Sequence, residues 1–477
     1  MSSFKAIKKI KYHMLRGNCD FVYIFFDLRI DFLSVLGYNT DRESYIKNTE
    51  VLMEKFDVAV IGGGISGLAA AVASARQGSK TILIEKSGAL GGAMNLSLVL
   101  PFMRNRTLID GKSVRLSQGI FAEICKTATE IIQECEGVDI DPESFRYYNE
   151  EYMKLAFNRI AQKYGVTLLF HSYMTGVTAE GGRISSVTLS SRSGSFDISA
   201  EIFVDATGDA SLAYLAGCPY RLGRDDGLCQ PMTLCFRVSG VDREVISTLP
   251  SRMKAINELY SKFQSEGKIK NPRENVLVFK TIVDGCLHFN STRVIKLNPT
   301  DPFDLSKAEI EAREQTLELF LFMKNNIEGF ENAQLLMTAC EIGVRESRMI
   351  DGEYILTGDD LKNLKKFPDS IAFGNYDIDI HNPEGSGTSH YFFAPGEYYS
   401  IPYRSLIPKK ISNLLVAGRC ISVDHDAQAS IRIMPIVCTV GEAAGTAASL
   451  CVSDSCSPTE LDACKLRRTL KENGALC

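Results

Sequence analysis

No Cys-x-x-Cys pair occurs in this chain, although it holds 14 cysteines in 477 residues. That absence leaves no dithiol redox centre and no metal site to argue for, and the scattered thiols suit a reducing, cytoplasmic setting better than a disulfide framework. A basic surplus is missing as well. Lys and Arg number 53 against 58 Asp and Glu, a formal charge of -5, so nothing marks a surface for nucleic acid. Acidic small molecules stay in play, because a local arginine cluster can sit in a mildly acidic protein. The apolar stretch "FVYIFFDLRIDFLSVLG" is interrupted by Asp27, Arg29 and Asp31, which leaves it short of an integral membrane span, and it lacks the small-residue cleavage pattern of a signal peptide. Internal repeats and low-complexity segments are not visible.

What is present reads as a globular protein of more than one lobe: 45% apolar residues, 23% charged residues, and a length beyond that of a single core. Residues 1–52 stand apart as an N-terminal extension. Met53 lies just before the first convincing strand, so translation starts there or the extension is a short interaction or surface-binding segment. The remaining pattern divides into 53–230 as the first part of a cofactor domain, 231–400 as a substrate or cap domain, 401–455 as the returning part of the cofactor domain, and 456–477 as a C-terminal tail.

The cofactor reading begins with "FDVAVIGGGISGLAAAVASARQG" at Phe56. "VAVI" is an apolar run suited to a buried parallel strand, and a helix is expected from about Ser66 to Gln77, stopped by Gly78. Between them Gly62, Gly64 and Gly67 form GxGxxG: a tight turn, a close approach of backbone to pyrophosphate, and a tight helix-to-strand contact, with phosphate held at the positive helix end. The second strand, "TILIE", ends at Glu85, where a carboxylate can accept from ribose hydroxyls and would repel a 2′-phosphate. Three further glycine-bearing turns, "EKSGALGG", "VDATGDA" and "LLVAGRC", return to the same sheet, which FAD requires and an ordinary NAD dehydrogenase does not. Strands joined by tight turns fill 166–205. "PIVCTVGEAAGTAASL" reads as a small-residue helix suited to close packing, in which Cys438 is a packing residue.

At these residues the chain resembles flavoproteins of the glutathione reductase and fumarate reductase type, and more closely the bacterial FAD-dependent oxidoreductases marked by "LLVAGRC", "ASIRIMP" and "GEAAGTAA". The resemblance covers about residues 55–452. It implies an α/β fold: a Rossmann-like FAD-binding domain, made of a parallel sheet plus an antiparallel β-meander, with an inserted α+β substrate or cap domain. It also implies that Gly62, Gly64 and Gly67 meet the pyrophosphate, Glu85 the adenosine ribose, and Met174 the adenine through its backbone. Gly91 and Gly92 would lie along the cofactor near the flavin, Thr207 and Gly208 close to the dinucleotide, and Gly418 at the ribityl chain. Ile65, Ser66, Lys86, Ala93, Met94, Asp209, Arg419, Ile433 and Met434 complete the cofactor-binding set. Many relatives in the wider superfamily place an Asp after the last glycine, whereas this chain has Arg419.

A helix starting near Pro435 should aim its N-terminus at the flavin, with free N–H groups from Ile433 and Met434 stabilising negative charge on the reduced ring. For proton handling the first candidate is His425, in a loop expected to cross the ring, with Asp424 and Asp426 able to raise its pKa. The alternative is a surface or structurally bonded histidine. Arg432 is read as an anchor for a substrate carboxylate or the flavin edge, or as an ion-pair partner. Arg345 and Arg348, placed on one helix face by their spacing, suit anion binding or salt-bridged support. His381 and Asn382, in the turn-rich "IHNPEGSG", are weaker candidates. The function expected is an FAD-dependent oxidoreductase transferring a hydride between flavin N5 and a small organic metabolite, with an external electron donor or acceptor. A fumarate reductase-like flavoprotein, and a flavin-binding protein acting through a protein partner, are the alternatives.

Overall fold

Val58 to Ile61 are buried on both faces, which an apolar run achieves only in the middle of a covered sheet. The computed structural model describes residues 55–477, so the extension at 1–52 and the start at Met53 lie outside the described residues. In chain order the first elements are β1 (Lys55–Ile61), α1 (Ile65–Arg76), β2 (Thr81–Ile84), α2 (Ile120–Glu136), α3 (Glu150–Lys163), β3 (Thr167–Leu169), β4 (Tyr173–Glu180), β5 (Arg183–Ser191) and β6 (Gly194–Asp205). The second lobe supplies β7 (Phe236–Ser239), α4 (Arg243–Ser265), β8 (Val278–Lys280), β9 (Leu287–Phe289), α5 (Pro302–Asn326) and β10 (Gln334–Thr338). Next come the hairpin β11 (Ile378–His381) and β12 (Thr388–Tyr391), then β13 (Leu414–Val416), α6 (His425–Ile431), α7 (Met434–Asp454) and α8 (Ala463–Glu472).

The main sheet has seven strands in the order β3-β2-β1-β6-β5-β4, with β13 also beside β6. One long strand joins its two halves. The first part of β6 runs antiparallel to β5, and its last residues run parallel to β1 and β13. The expected parallel sheet and meander are therefore one continuous surface. A separate four-stranded antiparallel sheet, β8-β9-β7-β10, carries the second lobe, where the Phe236 and Phe289 rings stack at 4.8 Å. Asp301 caps α5 by accepting the N–H groups of Phe303 and Asp304, with Pro302 opening the helix. Both sheets belong to one compact unit.

Helices α1 and α7 pack so closely that a Cβ at Gly441 would lie 2.1 Å from the Ser66 carbonyl oxygen, and one at Gly445 1.9 Å from that of Ala70. That contact explains the small-residue composition of α7. By length and composition α7 is apolar enough to cross a membrane, yet 89% of its apolar window is buried against the rest of the protein. Within it Glu442, fully buried, pairs with Arg76 at 2.6 Å and accepts the Ile120 N–H that starts α2. The expected C-terminal tail is not a loose end: α8 buries Leu466 and Leu470 on one face, capped by Asp462.

Candidate functional site

The glycines of the first turn do different jobs. Gly62 has φ +102°, and a Cβ there would lie 2.5 Å from the Ala206 carbonyl oxygen; at Gly67 it would lie 1.8 Å from that of Gly62. Backbone proximity demands both. At Gly64 a Cβ would meet nothing within 4 Å, so the protein itself gives no reason for a glycine, and the face of the turn stays open. Glu85, buried at the end of β2, accepts the Gly63 N–H at 2.6 Å and the Ser87 N–H at 2.7 Å. It thereby clamps the turn, a role sequence reading did not assign, and each oxygen keeps a lone pair for ribose hydroxyls. The Gly91 N–H donates to the Gly63 carbonyl, and Gly92 comes within contact of Gly64 before the short helix Ala93–Leu96, in which Met94 is buried. A Cβ on Gly418 would be 3.7 Å from that of Ser66.

Three turns thus converge on the start of α1, next to Ile65 and Ser66. The Ser66 hydroxyl is buried there with no hydrogen-bond partner, and the N–H groups of Ile433 and Met434, at the start of α7, have no acceptor among the described residues. An open glycine face, an orphaned hydroxyl and free helix-terminal donors fit the phosphates and polar edges of FAD. The further turn at 204–210 is tied by Asp205, which accepts from the Thr207 N–H and hydroxyl and from the Ala213 N–H; Thr207 backs onto Gly62. Asp209 binds the Arg419 guanidinium and accepts from the Ser347 hydroxyl, so Arg419 lies against Gly208 in an ion pair. Lys86 pairs with Glu341. Met174 sits on β4 opposite Leu189, two residues beyond Ser172, whose N–H donates to the Glu85 carbonyl.

His425 departs from expectation in place and in partner. It is the first residue of α6, not a loop residue, and Asp424 is committed to capping that helix at the Ala427 N–H. Its partner is Glu346, fully buried, whose Oε1 lies 2.7 Å from His425 Nδ1 while Oε2 accepts the Gln230 N–H. Burial disfavours the imidazolium, but the hydrogen bond and charge of Glu346, with a smaller contribution from Asp426, outweigh it and raise the His425 pKa. Nε2 is buried with no partner. Glu346 stands in "IGVRES", where only the arginines drew notice; the acid between them was the available signal.

The helix expected to carry Arg345 and Arg348 does not form. Arg345 is in an irregular segment and Arg348 opens the strand Arg348–Ile350, so the two side chains diverge. Arg348 lies over the rings of Tyr214 at 4.1 Å and Tyr220 at 5.6 Å, a supporting role. Arg345 donates to the Pro231 carbonyl at 2.7 Å and to the Thr233 hydroxyl, and has no carboxylate partner among the described residues. Arg432 faces Asp379, with its Nη2 3.6 Å from Oδ2. His381 ends β11, and the turn-rich segment, including Asn382, is the loop of the β11/β12 hairpin.

Around His381 the charges interlock. Its Nε2 is 3.4 Å from Asp379, and its Nδ1 is 3.1 Å from Arg293 Nη2. Burial, together with the positive charge of Arg345, pushes the His381 pKa down to about 3, against the pull of Asp379, so the ring is neutral at pH 7. Burial opposes ionisation of Asp379, yet the His381 hydrogen bond and Arg432 hold its carboxyl well below the usual range. Burial and the neighbouring Arg432, Arg273 and Arg293 push Arg345 down to about 9. Cys438 is fully buried and burial raises its thiol pKa steeply, as a packing residue requires. Asp377, Asp379 and His390 lie close enough together to hold a cation, but His390 is exposed and stacks on Phe392.

The family of FAD dependent oxidoreductases matches residues 57–470 of this chain. Among solved structures the chain is similar to a geranylgeranyl bacteriochlorophyll reductase-like protein from Thermoplasma acidophilum, at 14% identity over 89% of this chain and 85% of that one, with a TM-score of 0.42. It is also similar to a p-nitrophenol 4-monooxygenase from Pseudomonas putida, at 10% identity over 88% of this chain and 89% of that one, TM-score 0.44. A third similarity is to an anhydrotetracycline hydroxylase from Streptomyces rimosus, at 10% identity over 87% of this chain and 65% of that one, TM-score 0.44. A comparison with the curated proteins found no match.

Proposed function

Since the chain belongs to the family of FAD dependent oxidoreductases, we propose that it transfers a hydride to or from a small organic metabolite, with His425 handling the accompanying proton. FAD, when bound, supplies the two-electron chemistry through its ring system. The glycine turns at 62–67, 85–92 and 418 hold its phosphates and sugars, and Ile433 and Met434 present N–H groups where negative charge collects. In this reading 53–230 and 401–455 bind the cofactor and 231–400 closes over the substrate. The observation that carries the role of His425 is its geometry. Glu346 holds Nδ1 at 2.7 Å and its hydrogen bond and charge raise the pKa of the ring, while Nε2 is buried and unpaired.

Electrons then pass to or from an external donor or acceptor, because a second dinucleotide turn is not evident in the sequence. The cysteines among the described residues are all free, in keeping with a cytoplasmic site of action. The test is a substrate screen on the purified flavoprotein that follows anaerobic bleaching of the flavin, repeated with His425→Gln. A fall in turnover of at least about a hundredfold, with FAD content unchanged, supports the assignment. Unchanged turnover removes His425 from the mechanism.

A further inference from the structure

Four arginines meet where the second lobe reaches the end of α6: Arg273, Arg293, Arg345 and Arg432. Each presses electrostatically on the others or on their shared neighbour Asp379. Two of them are compensated. Arg293 pairs with Glu274 at 3.2 Å and donates to the Gly385 and Gly387 carbonyls, pinning the hairpin loop, and Arg432 faces Asp379. The other two are not. Arg345 bonds only neutral acceptors, and Arg273, 4% exposed, has its Nε and Nη1 buried with no partner. Nearby Asp377 turns to His390 at 2.6 Å, and His381 is neutral. Glu274 and Asp379 are thus taken up by Arg293 and Arg432, and two guanidiniums, Arg273 buried and Arg345 half-buried, have no carboxylate within ion-pair distance among the described residues.

An unpaired buried charge is among the costliest features a fold can carry, and the guanidinium fork matches the paired oxygens of a carboxylate or phosphate. We propose that this cluster binds a small dianionic substrate through its oxyanions, Arg345 and Arg273 taking the two charges and the Arg293-anchored hairpin closing beside them. The proposal rests on the oxidoreductase reading above and names its substrate class. Arg432 connects the two sites: it is the residue immediately before Ile433, the cap of α7, so an anion held at the cluster is near the helix end assigned to the flavin. A dicarboxylate and a phosphate monoester share the required chemistry. The planar fork of Arg can meet either.

The experiment is calorimetric titration of the purified flavoprotein with succinate, phenyl phosphate, butyrate and neutral succinamide. One of the two dianions is expected to bind at least tenfold more tightly than butyrate, with succinamide showing no binding, and the better dianion identifies carboxylate or phosphate as the group recognised. Arg345→Met and Arg273→Met should each weaken that binding tenfold or more. A second readout separates ligand binding from scaffolding: without ligand, Arg273→Met should melt at a higher temperature than the wild type, because it removes an uncompensated charge. Failure of both dianions to bind overturns the proposal, as does wild-type affinity in Arg273→Met together with a lowered melting temperature. The two readings fail separately. Arginine-dependent anion binding by a protein whose flavin no metabolite reduces leaves this proposal standing without the hydride transfer, and flavin reduction by a neutral metabolite without anion binding does the reverse.

Discussion

Gly64 and Gly67 share one turn yet are glycine for opposite reasons, and the difference is measurable. A Cβ at Gly67 would sit 1.8 Å from the Gly62 carbonyl oxygen, so even alanine must open that contact beyond 3.0 Å by moving α1 away from β1. Forced overpacking of this kind costs about 1–3 kcal/mol, and here it falls on backbone that cannot rotate away. Gly64 has an ordinary φ of -62°, and a Cβ there would meet nothing, so Gly64→Val should cost the flavin-free protein no more than about 1 kcal/mol. Its isopropyl group would instead occupy the open face that the pyrophosphate needs. Losing that approach should weaken FAD by about a hundredfold, or about 2.7 kcal/mol. Urea denaturation of the flavin-free variants reads the first quantity, and fluorescence titration with FAD reads the second. The expected pattern is crossed: Gly67→Ala loses stability, Gly64→Val loses cofactor. Wild-type FAD affinity in Gly64→Val would refute the placing of the pyrophosphate, and destabilisation equal to that of Gly67→Ala would show that the glycine is structural.

Arg76→Met strands the fully buried Glu442 without its cation and should cost about 3–5 kcal/mol in urea denaturation, most of it recovered in Arg76→Met/Glu442→Gln. His425 has a folded pKa raised above 6.5 by Glu346, against the cost of burial, so its contribution to stability is fully present below 6.5 and fades as pH rises through the raised value. Wild type should therefore exceed His425→Asn in stability by more at about pH 5.5 than at about pH 9, and the difference should flatten in a Glu346→Gln background; a pH-independent difference would refute the pairing. Arg348→Leu removes a cation stacked on Tyr214 and should cost about 1 kcal/mol in denaturant while leaving the KM for substrate unchanged, in contrast to Arg345→Met.

The cofactor half was legible in the chain because its determinants are local. A buried strand, a glycine turn and a helix lie within about thirty residues, and the contact that demands Gly67 is with Gly62, five positions away. The same locality made the small-residue pattern of α7 readable as close packing, although its partner, α1, ends 358 positions earlier, at Arg76 against Met434. Charge partnerships were not legible, because they are made across the fold. Glu346 reaches His425 over 79 positions, Arg76 reaches Glu442 over 366, and Arg345 and Arg348 part company because their segment forms no helix. Which arginines are compensated and which are left waiting depends on distances of a few ångströms between elements from both lobes, and periodicity carries no record of that. The sequence by itself determined the strand, glycine turn and helix at 55–76 and singled out His425; only the tertiary structure decided that Glu346 is its partner and where two guanidiniums lack a carboxylate, because those pairings are made between segments far apart in the chain.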